Sequence, residues 1–305
     1  MSKLARPITR DEVAAYRNAG VVLLRGIFNL PAVNALRRSI DDAVRCIDQS
    51  PSGNNLSRLA RAPESSEIDA LKIQPADQND AADIVSYGSF FVDTGVSSRL
   101  KEFRRFAVNG PSPEIAAAFL ESEKVNFYGD QIFVKEPGTR ERTAFHQDAA
   151  YFEIDGDQCC VLWIPVDPVK LESGAEMYIR GSHRNGKLYQ PNVLISQTPL
   201  PGAQGDALPN IEDHPSDYDI VHFDVEPGDV IVHHYRTVHG AGSNASRYQV
   251  QRAASLRYCG DDIKFQARPW APKQLHHTHR LQNGDPLDGP DFPLVWRRRA
   301  EQEAA

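Results

Sequence analysis

The stretch "VNFYGDQIFVKE", Val125 to Glu136, is followed closely by "TAFHQDAAYFEI", Thr143 to Ile154. Both read as short strands, and the same texture continues in "QCCVLWIPV", "AEMYIRG", "DVIVHHYRTVHG" and "RAASLRYCG". Many short strands parted by Gly and Pro turns predict a β-sandwich or barrel. Upstream the texture is helical. "TRDEVAAYRNAG" offers Thr9 as an N-cap and Gly20 as a stop, and "VVLLRGIF" follows as an apolar strand. "NLPAVNALRRSIDDAVRCID" carries Val33, Leu36, Ile40 and Val44 at helical spacing, with Pro31 in the first turn. Residues 49–66, rich in Ser, Pro, Gly and Asn, read as a loop, and 97–123 as a second helical region. Helices first and strands after is an α+β order, with helices packed on one sheet. The chain, 1–305, is expected to form one domain: a helical part over 8–123, a strand-rich core over 125–265 and an irregular tail over 266–305 whose last residues fray.

Composition narrows the function classes. The 305 residues are 41% apolar and 25% charged, with a net charge of −7, as in an ordinary globule. No basic stripe is visible, which argues against nucleic acid as a partner. "RLKEFRRF", from Arg99, reads as the solvated face of a helix. No apolar run is long enough for a membrane span, and the first residues lack the apolar stretch of a signal peptide. Four cysteines are too few for a disulfide scaffold, and Cys159 and Cys160 read as buried reduced thiols in a strand. Together these predict a cytoplasmic protein. The insertion at 189–220 holds Pro191, Pro199, Pro201, Pro209 and Pro215, and reads either as a lid over a pocket or as a surface loop.

His146 and Asp148 carry the chemistry. On a strand, residues i and i+2 share a face, so an imidazole and a carboxylate would converge on one metal ion. A third ligand must come from elsewhere, and "VIVHHYRTVHGAGSN" offers His233, His234 and His239. Two histidines and one carboxylate form the facial triad of non-haem Fe(II) oxygenases, which leaves an open face. There a 2-oxo acid can chelate beside dioxygen. A cation must then hold the far carboxylate of the oxo acid, and arginine's planar fork suits it. Arg252 opens the strand after the distal His loop and is the candidate, because Arg257, five positions on, points to the opposite face.

Five segments, "FHQDAAYF", "LWIPVDPV", "SGAEMYIRGSH", "EPGDVIVHHYRTVHGAGSN" and "RAASLRYCGDD", resemble the phytanoyl-CoA dioxygenase family of Fe(II)- and 2-oxoglutarate-dependent oxygenases. The opening "GVVLLRGIFNLPAVNALRRSID" is similar too, so the resemblance runs in order from about Ile8 to Phe265. It implies a double-stranded β-helix, a jelly roll of the cupin type. It implies iron at His146, Asp148 and His239, with His239 93 positions after His146. It further implies Arg252 on 2-oxoglutarate, Trp163 beside the cosubstrate, and Gln131 in contact with the oxo acid. Lys135 shares the strand face of Gln131, and Gln147 is a further candidate although alternation turns it away from His146. Ala241 stands where some relatives have a serine. Relatives that halogenate lack the carboxylate ligand, so Asp148 points to hydroxylation of a small molecule, with O2 consumed and ascorbate supportive.

Two other readings use the same residues: a zinc hydrolase built on His146, Asp148 and His239, and a non-catalytic jelly-roll binding protein. His233 and His234 read as packing residues or supports of the ligands, and His183 as part of a turn. His276, His277 and His279 read as a solvated stretch. Tyr128, Phe90, Phe91, Tyr151 and Phe152 read as core, or as walls of a substrate pocket.

Overall fold

The structure is a computed structural model and describes residues 3–61 and 88–298; the loop reading of 62–66 and the fraying of the final residues fall outside them. Helix α1, Arg10–Ala19, starts as its sequence dictates. The Thr9 side chain accepts from the Glu12 N–H, and the Glu12 carboxylate accepts from the Thr9 N–H, a complete capping box. The helix ends on Gly20 at φ 75°, a left-handed conformation that glycine adopts without steric cost. Strand β1, Val21–Leu24, follows at once, and α2, Leu30–Arg45, is capped by the Asn29 side chain on the Ala32 N–H.

The 49–66 region is not all loop. It holds β2, Asn54–Asn55, and α3, Leu56–Arg61. After β3, Phe90–Thr94, the second helical region is two helices: α4, Lys101–Asn109, and α5, Ser112–Leu120, parted at Gly110 and Pro111. In α4, Phe103 and Phe106 are buried while Arg104 and Arg105 face solvent, so its basic run is a solvated face as expected.

The strand-rich half runs β4, Lys124–Lys135; β5, Thr143–Gln147; β6, Ile154–Asp155; β7, Cys159–Pro165; and β8, Glu176–Ile179. It continues with β9, Ile220–His222; β10, Val230–His234; β11, Val238–Ala241; β12, Gln251–Cys259; β13, Lys264–Phe265; and β14, Leu294–Arg297. The tail therefore contributes a strand, which pairs with β4. A large antiparallel sheet has the order β1-β10-β7-β12-β4-β3-β2, and a smaller one the order β5-β11-β8-β9. The two sheets form a jelly roll, and both contribute side chains to the space between them.

Alternation along the large sheet sorts its residues. Leu162 and Ile164 of β7, Val232 of β10, and Ala254, Leu256 and Tyr258 of β12 join Leu36, Phe103 and Ile115 in the helix-side core. The intervening residues turn inward. Trp163, Ile231 and Ala253 meet Tyr178 of the small sheet in a second core. Cys159 and Cys160 are free thiols, buried on opposite faces of β7. No helix among the described residues is long and apolar enough to cross a membrane.

Candidate metal centre

His146 lies near the end of β5, and Asp148 opens a single 3₁₀ turn, Asp148–Ala150, rather than continuing the strand. His239 is the direct cross-strand partner of His146 in β11, and their ring centroids are 4.3 Å apart. Gly240 allows this approach: a Cβ there would lie 2.9 Å from the Thr143 carbonyl oxygen and 3.0 Å from the Phe145 nitrogen. One ligand atom from each of His146, Asp148 and His239 lies within 4.8 Å of the others, and all three residues are buried.

The donor set suits a metal ion. His146 Nδ1 donates to the Ala144 carbonyl and His239 Nδ1 donates to the Thr237 carbonyl, each at 2.9 Å. A carbonyl only accepts, so both protons sit on Nδ1 and both Nε2 lone pairs are free for a cation. His146 Nε2 stands 3.7 Å from Asp148 Oδ1, too far for a hydrogen bond. Burial lowers the His239 imidazole well below its usual range, helped by the His146 and His233 rings, so it is neutral as a ligand must be. Burial works to raise the Asp148 carboxyl, but its pKa is held well below the usual carboxylate range, and with the protons of His146 and His239 on Nδ1 the donor that does this is the His233 N–H.

His233, on the inner face of β10, donates from Nε2 to Asp148 Oδ2 at 3.2 Å. It supports a ligand from the opposite sheet. His234 faces the other way and contacts the Asp157 carbonyl at 2.8 Å. His183 lies in a 3₁₀ turn against Gly20, where an added Cβ would come within 2.3 Å of its Nδ1, so it serves that turn. His277 and His279 pack on Phe292 at 4.8 and 5.1 Å, so the stretch expected to be solvated is half-buried.

A cavity of about 370 Å³ opens beside the three ligands, with Gln131, Phe133, Thr143, Glu176, Ser255 and Arg257 among its walls. Tyr151 and Phe152 line it, whereas Tyr128 and Phe90 stay in the core and Phe91 packs at its edge. The insertion supplies Asn192, Val193, Leu194, Ile195 and Leu200 as a roof. Tyr151 and Asn192 tie the roof down: the Tyr151 hydroxyl donates to the Asn192 carbonyl at 2.8 Å, and Asn192 Nδ2 donates to the Phe145 carbonyl at 2.8 Å.

Several expected contacts fall elsewhere. Arg252 does not line the cavity. Its parity on β12 is that of Ala254, Leu256 and Tyr258, the helix-covered face, and it forks Asp167 at 2.7 and 2.8 Å while bonding Asp41 of α2 at 2.7 Å. Gln147 points away from the ligands. Its Nε2 donates to the carbonyls of Lys187 and Arg236, and its Oε1 accepts from the Tyr189 N–H, so it anchors the base of the insertion. Trp163 remains in the inter-sheet core, off the cavity wall.

Gln131 does line the cavity, and accepts from Arg257 at 2.5 Å. Lys135, four residues on, is not on the cavity wall but stands behind Thr143, which is, and reaches across to the small sheet. Its Nζ donates to the Gly242 carbonyl at 2.6 Å and lies 3.4 Å from the Thr143 hydroxyl. Burial pulls its pKa down to about 7, against the opposing pull of Glu176 and Glu141. Burial pushes Glu176 up to about 8, against the hydrogen bond from Tyr178, so at pH 7 it is mainly protonated. Ala241 offers no hydroxyl, but Thr143, its cross-strand partner, places one on the cavity wall.

The sequence profile of the phytanoyl-CoA dioxygenase family matches residues 16–252, more than three quarters of the chain. The chain belongs to the phytanoyl-CoA dioxygenase family. It is classed thereby with Fe(II)- and 2-oxoglutarate-dependent dioxygenases, and its buried donor set is of the kind that iron takes in them. A curated relative, a probable phytanoyl-CoA dioxygenase of Caenorhabditis elegans, is 27% identical over 124 residues. That match spans 40% of this chain and 38% of the relative's length. Among solved structures, the α-ketoglutarate-dependent epimerase SnoN from nogalamycin biosynthesis has a TM-score of 0.65 at 19% identity, covering 94% of this chain and 98% of its own. The carbocyclase SnoK from the same biosynthesis has a TM-score of 0.64 at 22% identity, covering 97% and 100%. EctD from S. alaskensis, solved with 2-oxoglutarate and 5-hydroxyectoine, has a TM-score of 0.58 at 16% identity, covering 92% and 86%. At these identities the likeness is one of fold.

Proposed function

We propose that this protein is an Fe(II)- and 2-oxoglutarate-dependent dioxygenase that hydroxylates an unactivated carbon of a small molecule. In the overall reaction 2-oxoglutarate, O2 and a C–H bond become succinate, CO2 and a C–OH bond. One observation carries the reading: two imidazoles with tautomers set by backbone carbonyls converge with one carboxylate at the wall of a cavity. His146, Asp148 and His239 would hold the iron, which with its cosubstrate supplies the oxidising power to break a C–H bond.

The protein's own residues supply placement. Lys135 and Thr143 are the grip for the far carboxylate of 2-oxoglutarate, in place of Arg252. Thr143 precedes His146 by three residues on β5, about 10 Å along an extended strand, a distance that suits a five-carbon diacid reaching away from the metal. The Lys135 side chain is 2% exposed and has no carboxylate within ion-pair distance among the described residues, so a bound diacid would compensate it. The roof formed by the insertion excludes water from the reacting carbon. A cavity of about 370 Å³ is at the small end for ligand sites, which favours a compact substrate over a CoA thioester. Epimerisation and ring closure, the reactions named for SnoN and SnoK, diverge from hydroxylation only after hydrogen abstraction.

The test is succinate formed from 2-oxoglutarate by purified protein with Fe(II) and ascorbate under air. Slow uncoupled succinate, absent from His146→Ala and abolished by replacing iron with zinc, is the expected result. Metal-dependent ester or amide cleavage without succinate would transfer the site to the hydrolase class.

A further inference from the structure

Besides Lys135, which stands behind Thr143, a cation lies on the cavity wall itself and is not needed by the cosubstrate. Arg257 is 4% exposed, lies on the cavity wall, and has no carboxylate within ion-pair distance among the described residues. One of its terminal nitrogens donates to Gln131 Oε1 at 2.5 Å, its guanidinium lies 4.9 Å from the Phe152 ring centre, and its buried Nε has no partner. A buried charge without a counter-ion is costly, so the counter-ion arrives with a ligand. The groups around it are donors. Because Gln131 spends its oxygen on Arg257, it leaves its amide NH2 for the cavity, and the Ser255 hydroxyl faces the same space.

Position separates this cation from Lys135. On β4, Arg257 pairs with Gly129 while Lys135 pairs with Gln251, six residues along the same two strands. Across the large sheet, Arg257 pairs with Val161, which pairs with His233, whose Nε2 contacts Asp148. Arg257 is therefore level with the metal ligands, at the reacting end of the cavity. Charge gives the same division. A ferrous ion and Lys135 balance Asp148 and the two carboxylates of 2-oxoglutarate, and the buried Asp130, which feels the Arg257 charge, makes no ion pair with it and accepts instead from the Val96 and Ser97 N–H groups, leaving Arg257 without a direct counter-ion.

We propose that Arg257, with Gln131 and Ser255, binds a carboxylate of the organic substrate, so that the enzyme acts on a small acid with an apolar frame. Leu56, Leu194 and Phe152 supply the apolar wall for that frame, and the planar fork of arginine selects a carboxylate over a neutral isostere. This inference rests on the dioxygenase reading and assigns the substrate end of the same site.

The test is calorimetric binding, without turnover, to protein loaded with Mn(II) and 2-oxoglutarate under nitrogen. The probes are 3-phenylpropionate and its neutral isostere 3-phenylpropanamide. The acid is expected to bind the wild-type protein at least tenfold more tightly than the amide. Arg257→Gln should remove that preference while leaving 2-oxoglutarate affinity within about threefold. Arg257→Lys, which keeps the charge and serves as a folding control alongside circular dichroism, should retain part of it. Equal binding of acid and amide by the wild-type protein overturns the proposal. So does a loss of 2-oxoglutarate binding in Arg257→Gln as large as that in Lys135→Met, which would make Arg257 the cosubstrate grip. If the wild-type protein binds no 2-oxoglutarate at all, the dioxygenase reading fails instead, whatever the acid preference.

Discussion

At the scale of single residues, the ligands are held by contacts that can be removed one at a time. His233 braces Asp148 from the opposite sheet. Such supports of a ligand typically matter by about 10- to 100-fold in metal affinity. His233→Leu is thus expected to weaken Fe(II) or Mn(II) binding by about that factor while leaving the fold intact, as read by metal titration and circular dichroism. An unchanged affinity would reduce the contact to packing. Lys135 sets a pH dependence. Its folded pKa is depressed to about 7, so the charged form that grips a carboxylate is lost as pH rises above 7. Glu176, pushed up to about 8, gains negative charge over the same window and adds repulsion in the same direction. Of the other charges acting on Lys135, Glu141 opposes the depression and Arg142 adds to it. Affinity for 2-oxoglutarate in the metal-loaded protein should fall between pH 7 and 9, and Lys135→Arg should flatten the profile. A flat wild-type profile would remove Lys135 from the grip.

At the scale of elements, Arg252 shows what strand parity does. Both Arg252 and Arg257 lie on β12, and alternation does send them to opposite faces. Which face meets the cavity depends on where the helices lie, and β12 itself carried the hint: Ala254, Leu256 and Tyr258, which share the parity of Arg252, form an apolar row that helices cover. Arg252 instead ties α2 to the β7–β8 side through Asp41 and Asp167. Arg252→Met should therefore cost stability, about 1–3 kcal/mol for a partly exposed charged network, while 2-oxoglutarate affinity stays within twofold. A thermal melt and a titration on the same sample decide it. The capped helices and apolar strands were legible because each boundary is written locally, as at Thr9, Gly20 and Asn29. The break at Gly110 and Pro111 is equally local, yet the reading of one helical region over 97–123 runs through it. The role of Gln147 was not legible, because its partners at Lys187, Tyr189 and Arg236 are distant in sequence.

At the scale of the whole molecule, the ligand spacing was readable but the cavity was not. His146 and Asp148 announce themselves as a pair, whereas Glu176 and Thr143 join Lys135 only once β4 faces β5 and β8. The cavity keeps several ionisable side chains out of water in the apo protein, and a bound metal and diacid would compensate them. Saturating Mn(II) and 2-oxoglutarate should therefore raise the melting temperature by at least about 3 °C, since ligand at a hundredfold over its Kd adds about 2.7 kcal/mol. Chelation should reverse the shift, and a melting temperature indifferent to both would argue against a resident metal.

The small sheet and the turn that follows it provide His146, Asp148 and His239, while β4 and β12 of the large sheet provide Gln131, Lys135, Ser255 and Arg257. Selectivity can thus drift by mutation on one slab while the ion-holding slab stays unaltered. A library randomised at Gln131, Ser255 and Arg257 would sample new specificities against a constant metal-loaded fraction.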